Sequence, residues 1–265
     1  TLLWSESTRL DHRTSNGIIE YMKRYLVSKF DGFVAAGCSQ VEYLQYLGAI
    51  EDHIWVAPDS VDSDFFTQQS LHYRDKKDEI NQELGVSGPI VLYVGRLLDD
   101  KGMPELIEAF QKVVNEQDAT MLVVGDGPDI DRYRRICRQR SINSIRFEEF
   151  CTQEILPKYY AIADFLVFPT RSDPWGLVIN EAMCSGLPVI CSLAAGAAAE
   201  LVYPGCNGLL HEPGDVEKLR EHMLSLLTDS DMRNRMGLSS LEIIASFHPK
   251  KIPHRFTDIL IIGGG

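Results

Sequence analysis

Residues 171–190 read RSDPWGLVINEAMCSGLPVI. The Trp-Gly-Leu turn predicts a helix that begins at Gly176 and Leu177, where unpaired backbone N–H groups and the positive end of the helix dipole favour a phosphate or diphosphate. Two carboxylates, Asp173 and Glu181, flank this helix start eight positions apart. They could bind the hydroxyls of two sugars on one ligand, a ribose and a hexose. The alternative is a pair of solvated acids, which are favoured near a helix start in any protein.

The residues on either side of this stretch predict a doubly wound parallel sheet. Residues 185–188 end the helix and 189–191 form a short apolar strand, which is the helix-to-strand step of such a sheet. Upstream, the apolar strand 89–94 runs into a loop that contains Arg96 and Lys101. Ligands of open α/β sheets bind at the carboxyl ends of the strands, so we expect the two cations to neutralise a diphosphate. The alternative is a basic loop with surface salt bridges.

Four segments, taken together in their order and spacing, resemble a known family. They read VGRLLDDKG (94–102), VVGDGP (123–128), FLVFPTRSDPWGLVINEAMCSGLPVI (165–190) and NGLLHEPGD (207–215). They are similar to the donor domain of the retaining GT-B glycosyltransferases in the glycosyl transferases group 1 family. The resemblance covers residues 87–228.

The resemblance implies an α/β fold of GT-B type, with one complete Rossmann-like doubly wound donor domain and a nucleotide-diphosphate sugar as the donor. In the family's pattern Arg96 and Lys101 bind the diphosphate, and Glu181 binds the ribose. The acid at the position of Asp173 contacts the transferred sugar, and the family usually has glutamate there, so this side chain is one methylene shorter. We therefore expect Asp173 and Glu181 to be the catalytic pair. No metal ion and no further cofactor is expected.

Five more residues are expected to bind the donor. Three of them would do so through the backbone around the diphosphate: Gly95, Gly176 and Leu177. The other two, Phe150 and Cys151, lie in the loop where the family packs the base against the backbone. They replace the small residue that is usual at this point.

The first 66 residues carry a second and less specific resemblance, to the closing part of the acceptor domain in a bacterial subgroup of the family. It rests on LLWSEST (2–8), DGFVAAGCSQVEYLQYLGA (31–49) and IWVAPDSVDSDFF (54–66). Because these residues contain too few strands for a full sheet, we expect an N-terminally truncated enzyme. The expected division is the end of the acceptor domain at 1–66, a linker and first helix at 67–86, the donor domain at 87–242, and a return helix and tail at 243–265.

Three residues of the first segment, Glu6, His12 and Arg13, are expected to face the acceptor, with ordinary surface residues as the alternative. The formal net charge of −12 disfavours a nucleic-acid partner. No stretch approaches the ~20 apolar residues that span a bilayer. The six cysteines form no C-x-x-C pair, which indicates reduced residues of a cytoplasmic protein.

Two basic segments, 129–140 and the residues around Lys23, Arg24 and Lys29, are expected to form solvated helix faces. The alternative is peripheral contact with anionic lipid at the inner face of the membrane, which would suit a lipid-linked acceptor.

The expected function is the transfer of a sugar from a nucleotide-diphosphate sugar to a carbohydrate or lipid-linked acceptor, with retention of configuration, in the synthesis of cell-surface polysaccharide or glycoconjugates. Cations and the helix start would stabilise the diphosphate as it leaves. Two other classes stay open. One is a sugar phosphorylase or nucleotide-sugar epimerase of the same fold, and the other is a nucleotide-binding remnant without turnover.

Overall fold

Two parallel β-sheets organise the residues that the computed structural model describes, which are 1–9 and 17–248. The smaller sheet contains β1 (Leu2–Ser5), β2 (Gly32–Ala35) and β3 (Ile54–Val56), paired in that order. The larger sheet contains β4 (Ile90–Val94), β5 (Thr120–Val124), β6 (Ile145–Glu148), β7 (Phe165–Phe168), β8 (Val189–Ser192) and β9 (Gly208–His211). Its spatial order is β6-β5-β4-β7-β8-β9.

Helices connect these strands and follow the last one. They are α1 (Gly17–Val27), α2 (Cys38–Leu47), α3 (Ser63–Arg74), α4 (Lys77–Leu84), α5 (Met103–Val113), α6 (Ile130–Gln139), α7 (Leu156–Ile162), α8 (Leu177–Cys184), α9 (Ala198–Leu201), α10 (Val216–Thr228) and α11 (Ser230–Ile244). Within 1–9 and 17–248, no helix combines the length and apolar character that a membrane crossing requires.

The central strand β4 is buried along its whole length because helices cover both faces of the larger sheet. Ile90 and Leu92 belong to the core on the side of α7 and α8, whereas Val91 and Tyr93 belong to the core on the side of α5 and α10. A strand with two covered faces has no polar side, which is why it is a continuous apolar run in the sequence. The predicted doubly wound parallel sheet is confirmed.

The strand order reverses between β4 and β7, which pair in register at Leu92 and Leu166. The chain continues from β4 to β5 and β6 on one side, and from β7 to β8 and β9 on the other. Loops that leave two such strands diverge to opposite faces of the sheet and open a crevice at their carboxyl ends. The larger sheet therefore offers a ligand site after Val94 and Phe168.

The smaller sheet forms a second unit with its own core of buried side chains, among them Phe33, Tyr43 and Leu44. Its connection to the larger sheet differs from the expected one. Residues 67–86 were expected to hold a linker and one helix, but they contain most of α3 and all of α4. α3 begins at Ser63, where the Asp62 side chain accepts a hydrogen bond from the Phe65 N–H (3.0 Å). The expected boundary at residues 66 and 67 therefore falls inside a helix.

The segment 67–86 also packs against the larger unit. The Thr67 hydroxyl donates to the Cys184 carbonyl (2.9 Å), and Phe66 at the preceding position is part of the core below β4. At the other end of the chain, the expected boundary at residues 242 and 243 falls in the last turn of α11. Residues 249–265, which hold the expected return helix and tail, lie outside the described residues.

The close approach of Pro169 to Gly102, which brings the loop after β7 against the start of α5, can be tested by substitution. Its φ is +74°, and a Cβ there would overlap the carbonyl oxygen of Pro169. Gly88 has a similar φ of +71° but open space around the same position. We predict that Gly88→Ala lowers the free energy of unfolding by about 1 kcal/mol through backbone strain alone. Gly102→Ala should cost about 2 kcal/mol more because the loop at Pro169 must also move.

The measurement is urea denaturation of the two variants and the wild type. Equal losses in the two variants would show that the approach of Pro169 to Gly102 does not constrain the fold.

Candidate functional site

The crevice between β4 and β7 contains a cavity of about 350 Å³. It lies where the carboxyl ends of the two sheets face each other. From the larger unit its lining includes Gly95, Arg96, Lys101, Asp173, Gly176 and Leu177. Glu6, after β1, and Asp59, after β3, line it from the smaller unit. The structure thus brings six of the nine predicted site residues to one cavity.

Helix α8 begins at this cavity. Gly176 precedes it with a φ of +93°, and a Cβ at this position would press on the Phe168 ring, so the turn requires glycine. No side chain caps the helix, and residues 176–178 line the cavity. The first N–H groups of α8 could therefore receive an anionic group.

Lys101 and Asp173 form an ion pair across the crevice. The Lys101 Nζ lies 2.9 Å from the Asp173 Oδ2 and also donates to the Ser172 carbonyl at 2.9 Å. The other carboxylate oxygen of Asp173 accepts from the Trp175 N–H (3.2 Å). Both partners of the pair are mostly buried. The predicted cation and the predicted acid therefore neutralise each other in this structure.

Arg96 follows β4 and lines the same cavity. Its backbone is fixed because its carbonyl accepts a hydrogen bond from the buried Tyr93 hydroxyl (2.9 Å). Its side chain is exposed, and the described residues offer it no ion-pair partner. Arg96 is therefore a cation that is available to an anionic ligand, in contrast to Lys101.

A second, apolar cavity of about 200 Å³ adjoins the first at Gly95 and Arg96. Phe150 and Cys151 line it, as do the ends of β4 and β5 and the glycine at 125. The Phe150 side chain is 74% exposed at the edge of the cavity. The structure thus places both residues that were expected near a base beside a small apolar space, where an aromatic ring could stack on a planar ligand.

Glu181 lies one turn further along α8 than Leu177 and is only 8% exposed. Its Oε2 accepts a hydrogen bond from the Tyr160 hydroxyl at 2.7 Å. Burial raises the pKa of Glu181 to about 7, although the Tyr160 hydrogen bond acts in the opposite direction. Glu181 is a lining residue of neither cavity. Sequence reasoning missed Tyr160, because its partner lies 21 positions away on another helix.

Two acids of the smaller unit, Glu6 and Asp59, face the cavity. Burial, together with the nearby charge of Glu6, raises the pKa of Asp59 to about 6. Glu6 was predicted for this side, whereas Asp59 was missed. Its position after an apolar strand was the available signal. The other two residues predicted for this side, His12 and Arg13, lie outside the described residues.

A third cavity, of about 170 Å³, lies on the other side of Asp173. The smaller unit contributes Thr8, Arg9, Ser39 and Glu42, and the larger unit contributes Asp173 and the loop 193–196. Its walls thus combine two hydroxyls, one cation and two carboxylates. Asp173 is shared by this cavity and the first one, so a ligand in either space can contact its carboxylate.

The basic helix α6 is engaged in ion pairs at the surface. Arg132 forms two hydrogen bonds with Asp99, at 3.0 and 2.6 Å, and Arg134 lies 3.7 Å from Asp131. All six cysteines are free thiols. In the described part of the chain, no three or more His, Cys, Asp or Glu side chains are grouped so as to hold a metal ion.

Comparison with known proteins relates these features to one family. The family described as "Glycosyl transferases group 1" matches residues 75–240. Among curated proteins, the N-acetyl-alpha-D-glucosaminyl L-malate synthase of Bacillus anthracis is 26% identical over 197 residues, which are 73% of this chain and 51% of that protein. A GDP-mannose-dependent mannosyltransferase of Corynebacterium glutamicum, which acts on a monoacylated phosphatidylinositol monomannoside, is 30% identical over 214 residues, or 77% of this chain and 55% of that protein. The chain spans about half the length of these relatives.

Two solved structures show the same fold. HepE of Anabaena, in complex with UDP and glucose, is 21% identical with a TM-score of 0.81 and covers 98% of this chain and 70% of its own. The C-terminal domain of LpcC, a glycosyl transferase group 1 family protein of Francisella tularensis, is 26% identical with a TM-score of 0.60. That match covers 71% of this chain and 97% of the domain. The predicted GT-B-type α/β fold with Rossmann-like sheets is confirmed.

The raised pKa of Glu181 has a measurable consequence for stability. The folded state holds a proton up to about pH 7, whereas an ordinary glutamate releases it near its usual pKa of 4.5, so folding becomes less favourable as the pH rises between these values. Glu181→Gln stays neutral and escapes this penalty. We predict that its stability advantage over the wild type grows by about 2 kcal/mol from about pH 5.5 to about pH 8.5.

The difference is measured by urea denaturation of both proteins at each pH. A difference that does not change with pH would contradict a raised pKa at Glu181.

Proposed function

Because the chain belongs to the glycosyl transferases group 1 family, we propose that it binds a nucleotide-diphosphate sugar and transfers the sugar to an acceptor hydroxyl. The observation that carries this proposal is the cavity between the carboxyl ends of β4 and β7, where Arg96, Lys101 and the uncapped start of α8 converge. Two cations and a set of free N–H groups suit a diphosphate. The complex of HepE with UDP and glucose is a precedent on the same fold.

The proposed position of the diphosphate fixes the rest of the donor. The apolar cavity beside Gly95 and Arg96 would take the base, with Phe150 stacked on one face and Cys151 on the floor. The ribose would then lie between the two cavities, near the second turn of α8, where Glu181 can accept hydrogen bonds from its hydroxyls. The lining of this cavity is mostly apolar, so it would discriminate little between uracil, guanine and adenine.

The Lys101–Asp173 pair suggests how donor binding prepares the sugar site. The diphosphate carries more negative charge than one carboxylate, so Lys101 would turn toward it and release the Asp173 Oδ2. Asp173 could then accept a hydrogen bond from a hydroxyl of the transferred sugar. The donor would in this way assemble the group that orients its own sugar.

In the proposed reaction the bond between the anomeric carbon and the diphosphate oxygen breaks, and the acceptor oxygen bonds to the same carbon. As that bond breaks, its electron pair stays on the diphosphate oxygen, so negative charge develops beside Arg96, Lys101 and the start of α8, and the acceptor proton then passes to the departing diphosphate. These groups supply positive charge without a metal ion. We propose retention of configuration, as in the family members that the motifs resemble.

The acceptor is proposed to be a carbohydrate, held in the third cavity by Thr8, Ser39 and Glu42.

The outer face of α1 favours an acceptor carbohydrate that is carried on a lipid. That face exposes five apolar side chains: Ile18, Tyr21, Met22, Tyr25 and Leu26. Lys29, just after the end of α1, lies over the Tyr25 ring of this face, and Arg24 of the same helix lies over the Tyr46 ring of α2. Apolar and basic groups on one helix suit an anionic membrane surface. Free thiols favour the cytoplasmic side of that membrane.

The diphosphate assignment is tested by Lys101→Ala. We predict that this variant binds the preferred nucleoside diphosphate at least about tenfold more weakly, because a cation is lost and Asp173 is left unneutralised. Lys101→Ala combined with Asp173→Asn should regain part of the affinity. The measurement is calorimetric titration with UDP, GDP and ADP in the absence of magnesium.

The matched control is Lys112→Ala, since Lys112 lies on α5 in exposed pairs with Glu108 and Glu217. It should bind like the wild type. Unchanged affinity in Lys101→Ala would remove Lys101 from the diphosphate site.

The reaction itself is tested by product analysis. The chain is incubated with sugar conjugates of the nucleotide that binds, and with soluble oligosaccharides or lipid-linked sugars in vesicles as acceptors. We predict a glycosylated product whose anomeric configuration, read by NMR, matches that of the donor. Faster transfer to the vesicle-bound acceptor would support the membrane surface on α1.

Other products would contradict transfer. A sugar phosphate formed only with added phosphate would indicate a phosphorylase, and a converted nucleotide sugar would indicate an epimerase. Tight nucleotide binding with no product at all would indicate a binding protein without turnover.

A further inference from the structure

We propose that Tyr160 is a positioning residue, which holds the Glu181 carboxylate in the orientation that receives the ribose of the donor. This inference rests on the proposed function. Tyr160 is fully buried on α7, and its hydroxyl lies 2.7 Å from the Glu181 Oε2. The next nearest acceptor, the Val178 carbonyl, is 3.5 Å away, so the hydroxyl proton is directed to Glu181.

The position of the Tyr160 ring is fixed by packing against residues of α3. Phe66 on α3 meets it edge to face, with ring centroids 6.1 Å apart and planes inclined by 74°. The same helix α3 is attached to the end of α8, because Thr67 donates to the Cys184 carbonyl and Ser70 is bonded to Ser185 (2.7 Å). α3 therefore fixes the position of Tyr160 and of the helix that carries Glu181 at the same time.

Only one oxygen of Glu181 is used in this arrangement. The Oε1 has no hydrogen-bond partner among the described residues, whereas Oε2 is bonded to Tyr160. The apolar cavity is close by. Burial, and to a smaller extent the charge of Glu181, raises the pKa of the Cys151 thiol that lines it. A carboxylate fixed through one oxygen can accept ribose hydroxyls with the other.

The hydrogen bond also acts on the charge of the carboxylate. Burial favours the protonated acid, and the Tyr160 hydroxyl favours the ionised form, which is the better acceptor. Without that hydroxyl the carboxyl group would stay protonated to a higher pH. Tyr160 thus sets both the direction and the ionisation of the group that receives the ribose.

The test compares Tyr160→Phe with Tyr159→Phe, which removes a hydroxyl from the neighbouring residue of the same helix. The Tyr159 hydroxyl lies 3.5 Å from Glu148 and does not contact Glu181. Binding is measured by calorimetry for the nucleoside diphosphate that binds the wild type and for its 2′,3′-dideoxy analogue, from about pH 6 to about pH 9.

For the wild type and Tyr159→Phe, we expect the two ribose hydroxyls to strengthen binding about thirtyfold at about pH 8, and this gain to fall as the pH is lowered through about 7. In Tyr160→Phe the gain should shrink to about threefold and should begin to fall at a higher pH. The dideoxy analogue should bind all three proteins equally. In a Glu181→Gln background, Tyr160→Phe should change neither the gain nor its pH dependence.

Two outcomes would overturn the inference. One is a ribose gain in Tyr160→Phe that equals the wild-type gain at every pH. The other is an equal loss of affinity for the ribose and dideoxy compounds, which would show a purely structural role for Tyr160. If the wild type bound no nucleoside diphosphate, the proposed function would fail first, and a pH-dependent stability difference between wild type and Glu181→Gln would still report the buried carboxyl group.

Discussion

The ion pair between Lys101 and Asp173 ties the loop 169–176, between β7 and α8, to the loop after β4, and the site is built around this connection. The smaller unit holds the same loop, because the Gln40 amide donates to one of its carbonyls at 2.6 Å. On the other side, the absence of a side chain at Gly102 lets the loop lie directly against the start of α5. Lys101, Asp173 and the start of α8, which are proposed to touch the donor's diphosphate or sugar, are all placed relative to this loop.

A mostly buried ion pair is a weak source of stability, since the loss of hydration offsets most of the attraction. Under the proposed function, the Lys101–Asp173 pair is better explained by the charge of the diphosphate that the cavity would accept. A protein with a net charge of −12 repels a diphosphate at long range, and a permanently exposed cation pair would be neutralised by other anions. With Lys101 paired to Asp173 and Arg96 exposed, the cavity carries one effective cation, and under the proposed function a bound diphosphate would release Lys101 as the second.

The fold and the position of the site could be predicted from the sequence because both depend on local patterns. Continuous apolar runs marked strands such as β4, and the turn at Gly176 marked the start of α8. The contacts that complete the site are not local. The Lys101–Asp173 bond spans 72 positions, and Tyr160 reaches Glu181 only because α7 and α8 pack on the same face of the sheet. No regular spacing of residues in the sequence predicts a contact between side chains so far apart. The segment 67–86 contains two helices where one was expected, and its contacts with α7 and α8 likewise join residues far apart in the sequence.

Helix α8 holds the site residues of the larger unit at a fixed position relative to the smaller unit. Consecutive residues on a helix point about 100° apart, so Asn180 and Glu181 reach different neighbours. Asn180 accepts from the Trp175 indole N–H (2.9 Å) and donates to the Asp59 carbonyl (3.0 Å), which attaches the helix to the smaller unit. Glu181 attaches it to α7 through Tyr160. A shift of this eight-residue helix would therefore disturb the helix start at Gly176, the Tyr160–Glu181 hydrogen bond and the contact with Asp59 together. The three hydrogen bonds make such a shift costly, so under the proposed function one short helix would hold a donor and an acceptor at a fixed separation.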